Sequence, residues 1–417
     1  MRTKQQIAEA LTTADLWRLM RRRVPPIVAE YFRGGADAET TLRANVRAFQ
    51  RSLTTARGAL KFEALDLSTT AVGHPLQVPW YIAPVGSLRT LYPRAEAVAA
   101  QVAGSFGTAM TLSTLSGTPL EEVAAASVGP CWFQLYLCGG RETALRGLER
   151  AKQAGFTALM LTIDTSVSGL RAQHARMKPL QVTASFDGLS LGERLALAAR
   201  KLRLAPQILP RLPWLMDHLR DGGLMQFVNV LDAHGQPMPY TDIVTQLAAS
   251  AVTWEDLRWI KAAWGDDRPL IIKGVHSAYD ARKAEEMGAT GVVWSNHGGR
   301  QQDRVPPTLQ IVAEEMPRVG ETQLDFMMDG GIRNGTDILI ALSYGLQAVG
   351  LGRVAAAGLG AGGHAGLTRA FEILQTDLDR AMRLVGVQSI DEIRARGAEL
   401  RRQSWLEGDD HLPPVVF

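Results

Sequence analysis

The chain has 417 residues, 46% of them hydrophobic and 21% charged, a composition that supports a large buried core and excludes disorder and collagen-like repetition. Lys and Arg total 45 against 42 Asp and Glu, a formal net charge of +3, too balanced for phosphate neutralisation to be the main business of the protein, so no nucleic-acid partner is expected. Cys131 and Cys138 fit neither a disulfide framework nor a zinc motif, and no His spacing of metalloenzyme type occurs, so a reducing, cytoplasmic setting and no bound metal are expected. Residues 1–24 carry no signal-peptide core, and no apolar run reaches the roughly 18 residues of a spanning helix.

In chain order, a helical lead-in over 1–79 precedes eight short β-branched or aromatic runs bounded by turn residues: 80–85, 108–113, 131–136, 158–164, 269–275, 291–296, 325–331 and 348–353. Between most of them, segments such as 94–106, 142–154, 278–287 and 336–344 have helical periodicity. Runs such as ALMLTI and PLIIKGV suit strands buried on both faces of a parallel sheet. Start-to-start spacings of 28, 23, 27, 111, 22, 34 and 23 residues describe a regular βα repeat broken once. The pattern predicts an α/β protein, a (β/α)₈ TIM barrel over 80–393, with a long insertion after the fourth strand at 176–252 and a C-terminal tail at 394–417.

Within the insertion, Arg194, Arg200, Lys201, Arg203 and Arg211 stand against the single acid Glu193 in an apolar context. Two readings stand for 189–216: docking on an anionic lipid surface, or a lid or oligomer contact over the barrel mouth.

Polar residues collect at the predicted C-terminal strand ends, where barrel enzymes keep their sites: Ser113, Gln134 with Tyr136, Thr162 with Asp164, Lys273, Asn296 with His297, Asp329 and Arg353. In SNHGGRQQD, 295–303, a strand ends in His297, and a Gly-Gly turn brings back Arg300, pairing a base with a carboxylate-gripping cation. In TIDTSVSGLR, 162–171, Asp164 can orient and charge-balance His297 while Arg171 offers a second clamp. MMDGGIRNGTD, 327–337, and VGLGR, 349–353, are glycine-rich turns carrying Arg333 and Arg353, suited to a phosphate. Gly358 to Gly363 fits G-x-G-x-x-G, but no strand pair follows to complete a dinucleotide-binding unit. Together these residues imply an organic-acid substrate that loses a proton beside a phosphate-bearing cofactor.

On these motifs, with EYFRGGADAET at 30–40, IAPVG at 82–86, TLST at 111–114, WFQLY at 132–136, LTIDT at 161–165 and IIKGV at 271–275, the chain resembles the FMN-dependent 2-hydroxy acid dehydrogenase and oxidase family from about residue 25 to about residue 393. The resemblance implies FMN as cofactor and oxidation of an L-2-hydroxy acid to a 2-oxo acid. It implies His297 as base and Asp164 as its partner. Arg171 and Arg300 would clamp the substrate carboxylate, and Tyr31 and Tyr136 would bond the substrate. It places Ala83, Pro84 and Val85 beside the flavin ring; Ser113, Gln134, Thr162 and Ser295 on its polar side; Lys273 at the N1/O2 edge; and Asp329, Gly331, Arg333, Gly352 and Arg353 at the phosphate end. His297 would take either the Cα proton or the hydroxyl proton, with the same residues in both routes. Gly86 matches the dehydrogenase form of its motif, favouring a quinone or other non-oxygen acceptor over O₂. Leu115 stands where glycolate oxidase has Trp, widening the pocket toward lactate-like or mandelate-like substrates. Family habit adds a homotetramer and a peripheral place on the inner membrane's cytoplasmic face.

Overall fold

The computed structural model describes residues 2–177, 190–202, 205–402 and 415. Four helices open the chain: α1 (Arg2–Ala8), α2 (Thr13–Arg23), α3 (Pro26–Arg33) and α4 (Thr40–Arg51). Thr12 and Asp15 form a reciprocal capping box at the start of α2, and Pro26 opens α3 at the position where its missing N–H costs nothing.

The lead-in is not helical throughout. Strands β1 (Thr69–Ala71) and β2 (His74–Leu76) pair as a hairpin whose turn places Val72 and Gly73 at φ +46 and +79, the left-handed pair that matches strand twist. This hairpin plugs the N-terminal mouth of the barrel: the Val72 amide donates to the Asp325 carboxylate, Thr69 Oγ1 to the Gln347 carbonyl at 3.0 Å, and the Gln77 amide to the Gly107 carbonyl at 2.9 Å.

The eight predicted runs are the eight barrel strands: β3 (Trp80–Ile82), β4 (Met110–Ser113), β5 (Cys131–Leu135), β6 (Ala158–Thr162) and, after the insertion hairpin β7 (Gln226–Leu231) and β8 (Pro237–Pro239), β9 (Leu270–Val275), β10 (Gly291–Trp294), β11 (Asp325–Asp329) and β12 (Ala348–Leu351). They close in the order β9-β10-β11-β12-β3-β4-β5-β6 with every pair parallel. The α/β barrel expectation is met. Inside it, Tyr81, Trp132, Met160, Ile271, Val293 and Met327 are fully buried, each contributing about 1.5–3 kcal/mol.

The helix Arg353–Val385 kinks at Gly362 and Gly363. A Cβ at Gly360 would stand 2.2 Å from Met20 Cγ, and one at Gly363 2.4 Å from the Tyr92 ring; the glycine run allows close packing on α2. The helix Ile390–Ala395 crosses the boundary drawn at 393, and residues Arg401–Arg402 pair antiparallel with Leu53–Thr54, tying the C-terminal segment to the lead-in. Most of the tail, 403–414 and 416–417, lies outside the described residues, as do 178–189 and 203–204 of the insertion, including Arg203.

The described insertion is fastened down. Arg23 pairs with Asp217 at 2.9 Å, Arg89 with Asp221 at 2.6 Å, and Trp214 Nε1 donates to the Thr90 carbonyl at 2.9 Å. Its hairpin brings Met225, Phe227, Val230 and Met238 against Leu115 and Tyr136 in a small separate core. Among the described residues, no helix is long and apolar enough to cross a membrane.

Candidate active site

Strand β9 bulges between Lys273 and Val275, and Gly274 there has φ +96; a Cβ on it would lie 2.7 Å from Asp164 Cβ. The glycine of IIKGV thus clears the space into which Asp164, two residues past the end of β6, is set. Across from it His297 has φ +57, followed by Gly298 at +62 and Gly299 at +72. A left-handed histidine is a strained choice, held here by its amide donating to Ser295 Oγ at 3.1 Å. His297 Nδ1 sits 3.0 and 3.2 Å from the two Asp164 oxygens, which leaves Nε2 for the cleft. Burial pushes the His297 pKa below the ordinary imidazole value, the Asp164 charge opposing it. Burial alone would raise Asp164, but the charge and hydrogen bond of His297, then Lys273 and His276, hold it below the usual carboxylate range. Gln301 Nε2 donates to the Asp164 and Val167 carbonyls at 3.1 and 2.9 Å, pinning the loop that carries the acid.

Arg300 Nη1 donates to the Tyr31 and Gly34 carbonyls at 2.8 and 2.9 Å, and its guanidinium lies 5.2 Å from the Tyr31 ring centroid. Arg353 donates to the carbonyls of Arg33, Gly298 and Gly34. Both cations cap the C-terminus of α3, where orphan carbonyls and the helix dipole favour positive charge, and so Tyr31 is carried to the barrel mouth. Arg171 faces the same cleft, its Nε buried without a partner. Neither Arg171 nor Arg300 has a carboxylate partner among the described residues. Burial, then the charge of Arg171, push Arg300 down to about 10, leaving two adjacent cations that call for an anion.

On the barrel axis, Lys273 Nζ donates to Ser295 Oγ at 3.0 Å and pairs with Asp329 at 3.3 Å, and Ser295 Oγ donates to Asp329 at 2.6 Å. Ser113 Oγ donates to Gln134 Oε1 at 3.0 Å. Gln134 Nε2 and Thr162 Oγ1 are buried without partners, donors aimed at nothing within the protein. After β11, Gly331 has φ +93, and a Cβ there would stand 2.4 Å from the Asn45 carbonyl. The amides of Arg333 and Asn334 are taken by the Asp337 carboxylate at 2.8 and 3.2 Å, a capping box that fixes the turn before the helix Gly335–Leu342. Asp337 is raised to about 6, by burial first.

A cleft of about 1140 Å³, counted to its open mouth, joins these parts. Tyr31, Tyr136, Arg171, Lys273, His297 and Arg300 line it together with Ala83, Pro84, Val85, Gly86, Ser113 and Leu115. Asp329, Gly331, Arg333, Gly352 and Arg353 line the same cleft. Asp164 lies behind His297 and faces a second cavity; Gln134, Thr162 and Ser295 do not line the cleft themselves but adjoin its Ser113 and Lys273. Sequence reading missed Tyr240, half-buried and close enough to Tyr31, Arg171 and Arg300 to feel their charges, and Ile243 and Leu247, which close the cleft from the insertion. No periodicity marked them, because they belong to the irregular insertion.

A family model described as FMN-dependent dehydrogenase matches residues 20–399. The chain belongs to that family. Like its other members, this FMN-dependent dehydrogenase is an oxidoreductase using FMN. It is 36% identical to an L-lactate dehydrogenase of Chromohalobacter salexigens, over 91% of this chain and 93% of that protein, and 32% identical to glycolate oxidase 3 of Arabidopsis thaliana, over 92% and 95%. In structure it is similar to a monotopic membrane protein, (S)-mandelate dehydrogenase, with a TM-score of 0.81 at 28% identity, covering 94% of this chain and 99% of that one. Mandelate oxidase gives a TM-score of 0.75 at 27% identity, covering 95% and 100%. The orphan donors of Gln134 and Thr162, level in the sheet with Lys273 and Ser113 of a cleft that Gly331 and Arg353 also line, fit a flat, acceptor-edged ring with a phosphate tail.

Proposed function

We propose that this FMN-dependent dehydrogenase oxidises an L-2-hydroxy acid of lactate or mandelate type to the 2-oxo acid and passes the electrons to a quinone rather than to O₂. The observation that carries the reading is the Asp164–His297 pair opening on the cleft that holds Arg171 and Arg300 without carboxylate partners. In this reading Arg171 and Arg300 hold the substrate carboxylate, and Tyr31 and Tyr136 orient its hydroxyl. His297 Nε2 takes a substrate proton, and Asp164 stabilises the imidazolium so formed. Bound FMN supplies the acceptor for the two electrons leaving the substrate carbon. Ala83 to Val85, Ser113, Gln134, Thr162 and Ser295 would hold its ring, Asp329, Gly331, Arg333, Gly352 and Arg353 its phosphate end; Lys273, fixed by Ser295 and Asp329, places positive charge at the ring's polar edge. Gly86, Leu115, Ile243 and Leu247 leave an apolar space for the substrate side chain. Exposed Leu195, Leu202, Leu209, Leu212, Met216 and Leu219, on a segment that also carries Arg194 and Arg211, support peripheral docking on an anionic membrane.

Anaerobic addition of L-lactate and of L-mandelate should bleach the flavin, and the reduced protein should reoxidise faster with a quinone than with O₂. Rapid peroxide formation would reverse the choice of acceptor, and absence of bleaching by any L-2-hydroxy acid would overturn the reading. Co-sedimentation with phosphatidylglycerol vesicles tests the docking.

A further inference from the structure

Next to the catalytic cleft lies a second chamber of about 930 Å³, counted to its open mouth, between α3 and the insertion helix Leu212–Arg220. Tyr31 lines both, so the two spaces share one aromatic side chain. Among the described residues, none that line the chamber is Lys, Arg, Asp or Glu, although the neighbouring cleft is built around cations. Its walls are Ile27, Val28, Leu215, Leu224 and Met225 with a flat aromatic face, the Trp214 and His218 rings stacked 5.1 Å apart at 10°. The polar groups are few: Tyr31, Thr90, His174, His218, Tyr240, and Gln207, whose side-chain oxygen is buried without a partner. Burial, then Arg171 and Arg300, push His174 down to about 4, and burial also lowers His218; both rings are neutral at physiological pH. Such a lining offers a hydroxy-acid anion no countercharge of its own and suits a neutral, planar, mostly apolar ligand with a few hydrogen-bonding edges. Leu209, Leu212 and Leu224, all exposed, stand on the elements at its edge, on the same insertion as the proposed membrane face.

We propose that this chamber seats the ring of a lipid-soluble quinone, the electron acceptor, with its apolar tail leaving past Leu224 toward the membrane. The inference rests on the function proposed above and adds where the acceptor binds. The reaction balances without another reagent: the hydroxy acid loses two electrons and two protons as it becomes the oxo acid, and the quinone gains two of each as its carbonyls become hydroxyls. The unpartnered Gln207 oxygen is placed to accept from a hydroxyl of the quinol.

The test uses the FMN-loaded protein and decylbenzoquinone. Binding is measured by calorimetry on the oxidised protein without hydroxy acid, and turnover with decylbenzoquinone and, separately, with ferricyanide. Leu215→Trp fills the chamber, and Leu224→Glu, at a position 52% exposed, charges its mouth without touching the core. Both should weaken quinone binding and raise its KM at least about tenfold, leaving anaerobic bleaching by hydroxy acid and ferricyanide turnover unchanged. Quinone binding equal to that of the unaltered protein in both variants would overturn the proposal, as would failure of the unaltered protein to bind decylbenzoquinone. Loss of bleaching in the unaltered protein would sink the function itself, a result distinguishable because calorimetry needs no turnover.

Discussion

Replacing Asp164 with Asn removes a buried negative charge whose oxygens lie 3.0 and 3.2 Å from His297 Nδ1 while keeping the side chain's shape. With the charges centred about 4 Å apart, an effective dielectric near 20 gives about 4 kcal/mol of attraction to the imidazolium. Asn restores a neutral hydrogen bond worth about 1 kcal/mol, so the net loss of about 3 kcal/mol corresponds to a fall of about 10²-fold in the proton-transfer step. Stopped-flow bleaching of the flavin under argon measures that step. Affinity for the hydroxy acid should change little, because Arg171 and Arg300 are untouched. His297 must be neutral to accept a proton, so the rate rises with pH through its pKa, which burial already sets below the ordinary imidazole value. Asp164 opposes that shift, so its removal should move the acid limb to still lower pH. A rate within a factor of two or so of the original (under 0.5 kcal/mol), or a limb displaced upward, would refute the role of the pair.

Arg171→Met removes one of two adjacent cations. Charge-assisted hydrogen bonds worth about 1.5–3 kcal/mol each are lost, so the hydroxy-acid Kd should rise about 10²-fold while Tm of the substrate-free protein rises, since Arg171 and Arg300 repel; titration and a thermal melt check both signs. Leu115→Trp, at a buried position on the cleft wall, should raise KM for mandelate far more than for lactate. Gly331→Ala forces a Cβ to 2.4 Å from the Asn45 carbonyl at φ +93, costing at least about 1–3 kcal/mol, and should appear as a lower Tm and flavin lost on gel filtration. His174 is held at about 4 against an ordinary 6.5, so the unfolded chain binds the extra proton between those values and its stability contribution is lost as pH falls through that window; His174→Gln should flatten the Tm-against-pH curve there.

The barrel was legible because parallel strands buried on both faces read as short continuous apolar runs, and each run contained a real strand. The predicted runs overshot at their C-terminal ends, by three residues at Val85 and two at Asp164, Asn296, Gly331 and Arg353. Those extra residues are where the backbone leaves the ladder to form the cleft, and they carry polar side chains, Asp164, Ser295, Asn296 and Arg353 among them. The β1–β2 hairpin went unseen because three-residue strands carry too few alternations to show a period. Asp164 and His297 were legible as partners from strand-end placement, and the structure joins them directly. Tyr240 was not, since its approach to Arg171 and Arg300 depends on how an irregular insertion folds back. Nor was the second task of Arg300 and Arg353, capping α3, because it pairs residues more than 260 positions apart through backbone carbonyls.

That capping has a consequence for how the molecule matures. Arg353 reaches the Arg33 carbonyl across 320 positions of sequence, and the cleft they share is lined from Tyr31 through Ala356. A growing chain therefore has no finished pocket until the last barrel strand and the start of the helix after it have left the ribosome, and capture of the yellow prosthetic group becomes an event that reports a closed barrel, not a fragment, as ready.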